Sequence, residues 1–483
     1  VQGAAGLVSA AAPLLETYAG AKPHFKAKVQ RVVAAETEGA FDTEVLFFAD
    51  AVHASGRIEQ HATWQLRWQQ AKGEKPRLAT LRVEDYEEVR ASGAAPLLAD
   101  VTEAVLGGAD GHLDAVLLSG VDDWLERNQA ALLTDPIGHQ GIAVGDINND
   151  GLDDLYLCQP SAVANRLYVQ QPDGTAVDRA AEAGVDWLEM CRSALIIDLD
   201  SDGDQDLVLT VAWSNADDGR ALVVFENDGG AGKPHFAERS RLALGLDLES
   251  VVAADYDKDG DLDLYACAYN AGEGTLLGVG LPVPLNDANN GGHNALLRND
   301  GAFRFVDVTA TLGLGENNSR FSYAAAWEDY DDDGDMDLYV ANDYGRNSLY
   351  RNDNGKFRDV AHDAGVEDIS SGMSVSWGDM DRDGDMEVYV GNMYSAAGGR
   401  ISFQDRFHAK ANDATRAEYQ RHTRGNSLFA NQGDGTFADI SVASATTVGR
   451  WAWASTIVDL DNDGWQDIFV ANGMFTRAIP HDL

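Results

Sequence analysis

The sequence is short of positive charge, of cysteine, of long apolar runs and of recognisable catalytic motifs, and each shortage narrows what the chain can do. Only 36 lysines and arginines stand against 79 aspartates and glutamates, a formal charge of −43. Nucleic acid and anionic membrane surfaces are therefore poor partners, and a chain this acidic either repels itself or holds cations. The three cysteines, Cys158, Cys191 and Cys267, have neither zinc-site spacing nor the density of a disulfide scaffold. They read as small buried strand residues, with one disulfide, Cys158–Cys191, left open. Residues 1–15 are apolar but too short to span a bilayer and lack a signal peptide's basic flank. They read as part of a helix over 5–18, and a chain opening on Val1 reads as a processed or truncated form. No G-x-S-x-G elbow, H-E-x-x-H, phosphate-binding glycine loop or paired-cysteine motif occurs. Close carboxylate pairs carry no glycosidase signal where acids are this dense.

Repetition is what the sequence does have. A nine-residue acidic stretch occurs six times: DINNDGLDD (146–154), DLDSDGDQD (198–206), DYDKDGDLD (255–263), DYDDDGDMD (329–337), DMDRDGDME (379–387) and DLDNDGWQD (459–467). An apolar run leads into each copy and a β-branched or aromatic run such as LYV or IFV leads out. A third segment follows, as in NALLRND (294–300) and NSLFANQ (426–432), and then a fourth, as in FRFVDVTATLGL (303–314). Four short strands per unit predict β-propeller blades. Insertions at 271–293 and 393–425 both fall between a second and a third strand, so they emerge on one face. PLLADVTEAVLG (96–107) copies the fourth-strand pattern upstream of the first loop and is expected to complete the last blade. Six blades are counted, and seven remain open.

Ahead of these repeats, residues 24–35, 42–52, 56–70 and 76–89 alternate in polarity and predict an antiparallel meander, with Trp64 and Trp68 on one face. The expected organisation is an α+β domain over 1–95, similar to NTF2-like or cystatin-like folds. A connecting segment over 96–136 with a propeller-closing strand and a helix comes next, and then a propeller over 137–483.

Calcium resolves the acidity of the loops, because it takes six to eight oxygen ligands at flexible geometry. Position one is Asp146, Asp198, Asp255, Asp329, Asp379 and Asp459; position three is Asn148, Asp200, Asp257, Asp331, Asp381 and Asp461. Position five is Asp150, Asp202, Asp259, Asp333, Asp383 and Asp463, and glycine follows at six in every copy. The last acid comes at position nine, Asp154, Asp206, Asp263, Asp337, Glu387 and Asp467, and not at twelve as in an EF-hand. Position seven, Leu152, Asp204, Asp261, Asp335, Asp385 and Trp465, is expected to give a main-chain carbonyl. Up to six calcium ions are expected.

These loops, with GNSLFANQGDGTF (425–437) and GRWAWASTIVDLDNDGWQDIFVANG (449–473), resemble the FG-GAP (VCBS) repeats of integrin α-subunit propellers and the cartilage acidic protein-like family. The resemblance covers about residues 96–483, strengthens the fold and the metal, and implies an extracytoplasmic protein: secreted, cell-surface or periplasmic. Some members run on past the point corresponding to Leu483, so a C-terminal continuation is open. The expected function is a binding or scaffolding module. The alternative is a carbohydrate-active or other hydrolytic enzyme working from the insertion face. Arg400, Arg406, His408, Lys410, Arg416, Arg421, His422 and Arg424 gather in the second insertion, which is helix-compatible over 403–422. They read either as a cover over the propeller's own acids or as a docking site for a protein subunit or acidic glycan.

Overall fold

The computed structural model describes residues 18 and 20–472 except 36, 38, 54–55, 93–97, 108–140, 160–162, 214–219, 231, 271–280, 395 and 450. The chain divides into two compact units, one of residues up to Asp100 together with Ala396–Asn412, the other of the remainder.

In the first unit, strands β1 (His24–Ala34), β2 (Ala40–His53), β3 (Gly56–Gln69) and β4 (Arg77–Ser92) form an antiparallel sheet in sequence order. This is the meander the alternation predicted. Trp64 pairs with Val45 and Trp68 with Phe41, which puts both rings on the apolar face. Phe47 stacks on Trp64 with centroids 4.2 Å apart, and Trp68 donates to Thr43 Oγ1. The expected helix over 5–18 lies outside the described residues apart from Tyr18, which packs with Ala49, Ala51 and Ile58.

The second unit is mainly β. Its first sheet is β5 (Ile142–Gly145), β6 (Asp154–Leu157), β7 (Arg166–Gln170) and β8 (Ala176–Asp178); its second is β9 (Met190–Ile197), β10 (Asp206–Trp213), β11 (Ala221–Asn227) and β12 (Phe236–Leu242). The third is β13 (Leu248–Ala254), β14 (Asp263–Ala268), β15 (Ala295–Asn299) and β16 (Phe305–Asp307). In the fourth, β17 (Phe321–Glu328), β18 (Asp337–Asp343), β20 (Ser348–Asn352) and β21 (Phe357–Asp359) pair in order. A short β19 (Gly345–Arg346) leaves that sheet to pair with β22 (Ile369–Ser370). The fifth is β23 (Gly372–Gly378), β24 (Glu387–Asn392), β25 (Ser427–Asn431) and β26 (Phe437–Asp439). Strands β27 (Ala452–Val458) and β28 (Asp467–Asn472) form the sixth, two-stranded among the described residues.

Successive first strands pack side by side, β5 on β9, then β13, β17, β23 and β27, as in the blades of a β-propeller. A sheet covered on both faces needs apolar residues on both, which is why the lead-out runs are continuous rather than alternating. In β10, Leu207 and Leu209 join the core shared with the first blade, while Val208 joins the core shared with the third. Tyr156, Tyr265, Tyr339 and Tyr389 are fully buried at the same point of the second strand in the first, third, fourth and fifth blades. Their neighbours Asn165, Asn294, Asn347 and Asn426 each accept a main-chain N–H at 2.8 Å where the third strand begins. All three cysteines are buried free thiols.

Three expectations need correction. In the first, third and fourth blades the fourth segment is a three-residue strand followed by one helical turn, as in β16 and the turn at Thr309–Leu312. For the same reason the described part of 96–107 is not a strand. Residues 98–100 are irregular, and Thr102–Leu106 is a helix (α1) whose Leu106 packs on Leu157, Tyr168 and Ala176 of the first blade. Third, the basic insertion is not one helix over 403–422 but two, Ala396–Ser402 and Asp413–His422, separated by turns.

Candidate metal centres

Each acidic stretch is the hairpin loop from a blade's first strand to its second. Position four is left-handed in all six, with φ between 55° and 64° at Asn149, Ser201, Lys258, Asp332, Arg382 and Asn462. The glycine at six has φ between 86° and 100°, a region that side chains rarely enter. The glycine was legible as a sharp turn. Position four was not recognised, although Asn or Asp at three of the six copies favours that conformation.

The turn is held by its own carboxylates. Asp329 accepts the N–H of Asp333 at 3.1 Å and of Gly334 at 2.9 Å, and Asp146, Asp198, Asp255 and Asp459 repeat the arrangement. Position five accepts the N–H of position seven at 2.8–3.0 Å in all six loops. Position nine is the first residue of the second strand, and from the first to the fifth loop it is buried. One of its oxygens accepts the N–H of position two at 2.8–3.4 Å. In the first five loops the other accepts an N–H from the end of the third strand: Gln170, Asn227, Asn299, Asn352 and Asn431. Sequence reasoning missed these third-strand residues. The repeated Asn in FEND, LRND, YRND and FANQ was the available signal.

Carboxylate oxygens converge to within 4.8 Å of one another in five loops: Asp198, Asp200 and Asp206; Asp255, Asp257 and Asp259; Asp329, Asp331 and Asp333; Asp379, Asp381 and Glu387; Asp459, Asp461 and Asp467. In the first loop Asn148 replaces one acid and donates to Asp150 at 3.1 Å. Burial, with neighbouring carboxylates adding to it, outweighs the N–H bonds and pushes Asp206 and Asp263 up to about 7 and Asp337 up to about 8. Asp331 Oδ1 and Asp379 Oδ1 are buried with no hydrogen bond among the described residues. Unsatisfied anionic oxygens aimed at a shared centre are what a hard cation relieves, and the all-oxygen donor set fits calcium. The position-seven side chains do not join the clusters. Asp204 accepts from Asn149 at 2.6 Å, Asp335 pairs with Lys258 at 2.6 Å, and Trp465 lies under Arg382, which leaves these three only a main-chain oxygen to offer.

Away from the loops, Arg421 pairs with the fully buried Asp368 at 3.0 Å and also with Asp439, which Arg424 meets at 2.9 Å. Arg346 joins Glu418 to Asp287 and Glu367. The helix at Asp413–His422 is thus clamped to the propeller by ion pairs, as the cover reading expected for Arg421 and Arg424. Ser371 Oγ and His422 Nε2 lie 3.3 Å apart, but His422 Nδ1 meets no carboxylate among the described residues. Cavities of about 410 and 530 Å³ lie beside the acidic loops, between the fourth and fifth and the first and second blades, not at the described residues of the insertions.

Residues 146–209, 198–266, 329–390 and 416–470 match the FG-GAP-like repeat family. Over 129 residues the chain is 30% identical to cartilage acidic protein 1 of Xenopus tropicalis and 27% identical to that of Homo sapiens. Each match takes in 26% of this chain and 19% of the relative, so it spans about a fifth of the relatives' own length.

Proposed function

Because this chain belongs to the FG-GAP repeat family, we propose that it is an extracytoplasmic calcium-binding propeller that serves as a binding or scaffolding module. The observation that carries the metal is the convergence of carboxylate oxygens in one loop after another, with orphaned oxygens at Asp331 and Asp379. In each loop, side-chain oxygens at positions one, three, five and nine and the carbonyl at seven would hold the ion. Calcium supplies the positive charge that lets these acids sit together, and the loop residues hold their own geometry through the N–H bonds described above. Sites of this composition suit the millimolar calcium found outside cells. No helix among the described residues is long and apolar enough to cross a membrane.

Elemental analysis after dialysis into calcium-containing buffer tests the metal, with five or six ions per chain expected. Fewer than three would overturn the reading. For the module, Arg406 and Lys410 are exposed and make no ion pair among the described residues, so they are the cations left to meet a protein subunit or acidic glycan. Replacing both with Glu should abolish capture of such a partner while calcium content and melting stay unchanged, and retained capture would rule this surface out.

A further inference from the structure

Building on the calcium reading, we propose that the first five loops bind calcium cooperatively, coupled by a chain of hydrogen bonds that passes from blade to blade through the asparagine ending each third strand. The chain starts at Asp154, which accepts the N–H of Ile147 at 3.1 Å; the carbonyl of Ile147 accepts Asn227 Nδ2 from the next blade at 2.9 Å. Asn227 gives its own N–H to Asp206 at 2.9 Å, and Asp206 holds the N–H of Leu199 at 3.0 Å. Leu199 hands on to Asn299 (3.2 Å), Asn299 to Asp263 (2.8 Å), and Asp263 to Tyr256 (3.4 Å). Tyr256 then meets Asn352 (2.9 Å), Asn352 meets Asp337 (2.7 Å), and Asp337 meets Tyr330 (3.3 Å). The last link joins Tyr330 to Asn431 (2.9 Å) and Asn431 to Glu387 (3.3 Å).

One residue's main chain thus serves two sites, through the two successive peptide groups that flank its Cα. The N–H of position two faces its own loop's position-nine carboxylate, and its carbonyl faces the asparagine that positions the neighbouring loop's carboxylate. Asn227, Asn299, Asn352 and Asn431 are at most 6% exposed, so water cannot substitute for a broken link. Fixing one position-nine carboxylate on an ion orders the shared position-two residue and the asparagine, and the next ion finds that ordering already done. The sign of the coupling is therefore positive. A second set of contacts runs in parallel, from position four of one loop to position seven of the next: Asn149 to Asp204, and Lys258 to Asp335. The four asparagines are positioning residues. The sixth loop has no such asparagine among the described residues, and among them only the contact of Arg382 with Trp465 reaches it.

The test is a calcium titration of the decalcified whole protein against a competing chelator, reading stoichiometry and steepness together. The wild type should give a Hill coefficient above about 1.5, with neighbouring sites coupled at least about 5-fold in affinity. Asp259→Ala, which disables the third loop without touching the chain of bonds, should remove one ion and weaken binding at the other four coupled loops. Asp461→Ala in the sixth loop should remove one ion and leave the others unchanged. Asn352→Ala should keep the stoichiometry and lower the Hill coefficient. If that variant does not fold, the first three measurements still decide. Five or six ions bound with a Hill coefficient of one, and with Asp259→Ala behaving as Asp461→Ala does, would overturn the coupling and leave the calcium reading standing. No calcium uptake at all would overturn the reading beneath it.

Discussion

Moving the protein from about 2 mM calcium, the extracellular regime, into excess chelator should lower its melting temperature by about 10 °C. A site held at about ten times its dissociation constant stabilises the folded state by about 1.4 kcal/mol, so six such sites contribute about 8 kcal/mol. That is as large as the whole stability of many domains, which runs at about 5–15 kcal/mol. The propeller unit holds roughly 370 residues, and at about 2.1 cal/mol/K per residue its unfolding entropy is about 0.8 kcal/mol/K, which converts 8 kcal/mol into the stated shift. The emptied loops add to the effect in the same direction. Asp337, wholly buried beside Asp331 and Asp333, then has only the N–H groups of Asn352 and Tyr330 to stabilise its charge. Differential scanning calorimetry over a series of free calcium concentrations reads the effect, and the slope of melting temperature against the logarithm of calcium counts the ions released on unfolding. A melting temperature that moves by less than about 1 °C between saturating calcium and excess chelator would refute the argument, because by mass action it would mean that the loops bind no calcium preferentially in the folded state.

Asp329→Ala should remove one calcium ion and, by also freeing the N–H groups of Asp333 and Gly334, lower the melting temperature by a few degrees, leaving the other sites countable by elemental analysis. Arg421→Ala should destabilise by about 3–5 kcal/mol in urea unfolding, because it leaves the buried Asp368 without its cation. Asp343 is buried under the Tyr269 hydroxyl, and burial pushes its carboxyl up to about 6. Between the unfolded value of about 4 and that value the folded state holds a proton that the unfolded chain has released, so this group's contribution to stability falls as pH rises through the window and is flat above it. Asp343→Asn should remove that slope and stabilise the protein at pH 7.5 by up to about 3 kcal/mol; unchanged stability there would mean that the carboxylate is already solvated.

The repeat was legible because everything that defines it lies within nine consecutive residues. Ligand spacing, the turn glycine and the switch into a strand can all be read from DYDDDGDMD alone, and the blades follow from what precedes and follows each copy. What stayed hidden depends on pairs far apart in the chain. PLLADVTEAVLG matches FRFVDVTATLGL well, but neither string shows where strand gives way to helix. That boundary is set by Leu106 finding Leu157 and Tyr168 on the first blade, as Val308 and Leu312 find Leu338 and Tyr350 on the fourth. The asparagines are a sharper case. Asn227 is visible in FEND, and its likeness to Asn299, Asn352 and Asn431 is visible too, yet their role lies in a carbonyl 80 residues earlier for Asn227 and about a hundred earlier for the other three. A short polar residue at a strand's end reads locally as a turn former. Only the stacking of blades turns that carbonyl into a neighbour, and only then does the same residue touch two acidic loops at once. The sequence therefore reveals each candidate site separately, while the connection between sites belongs to the packed molecule.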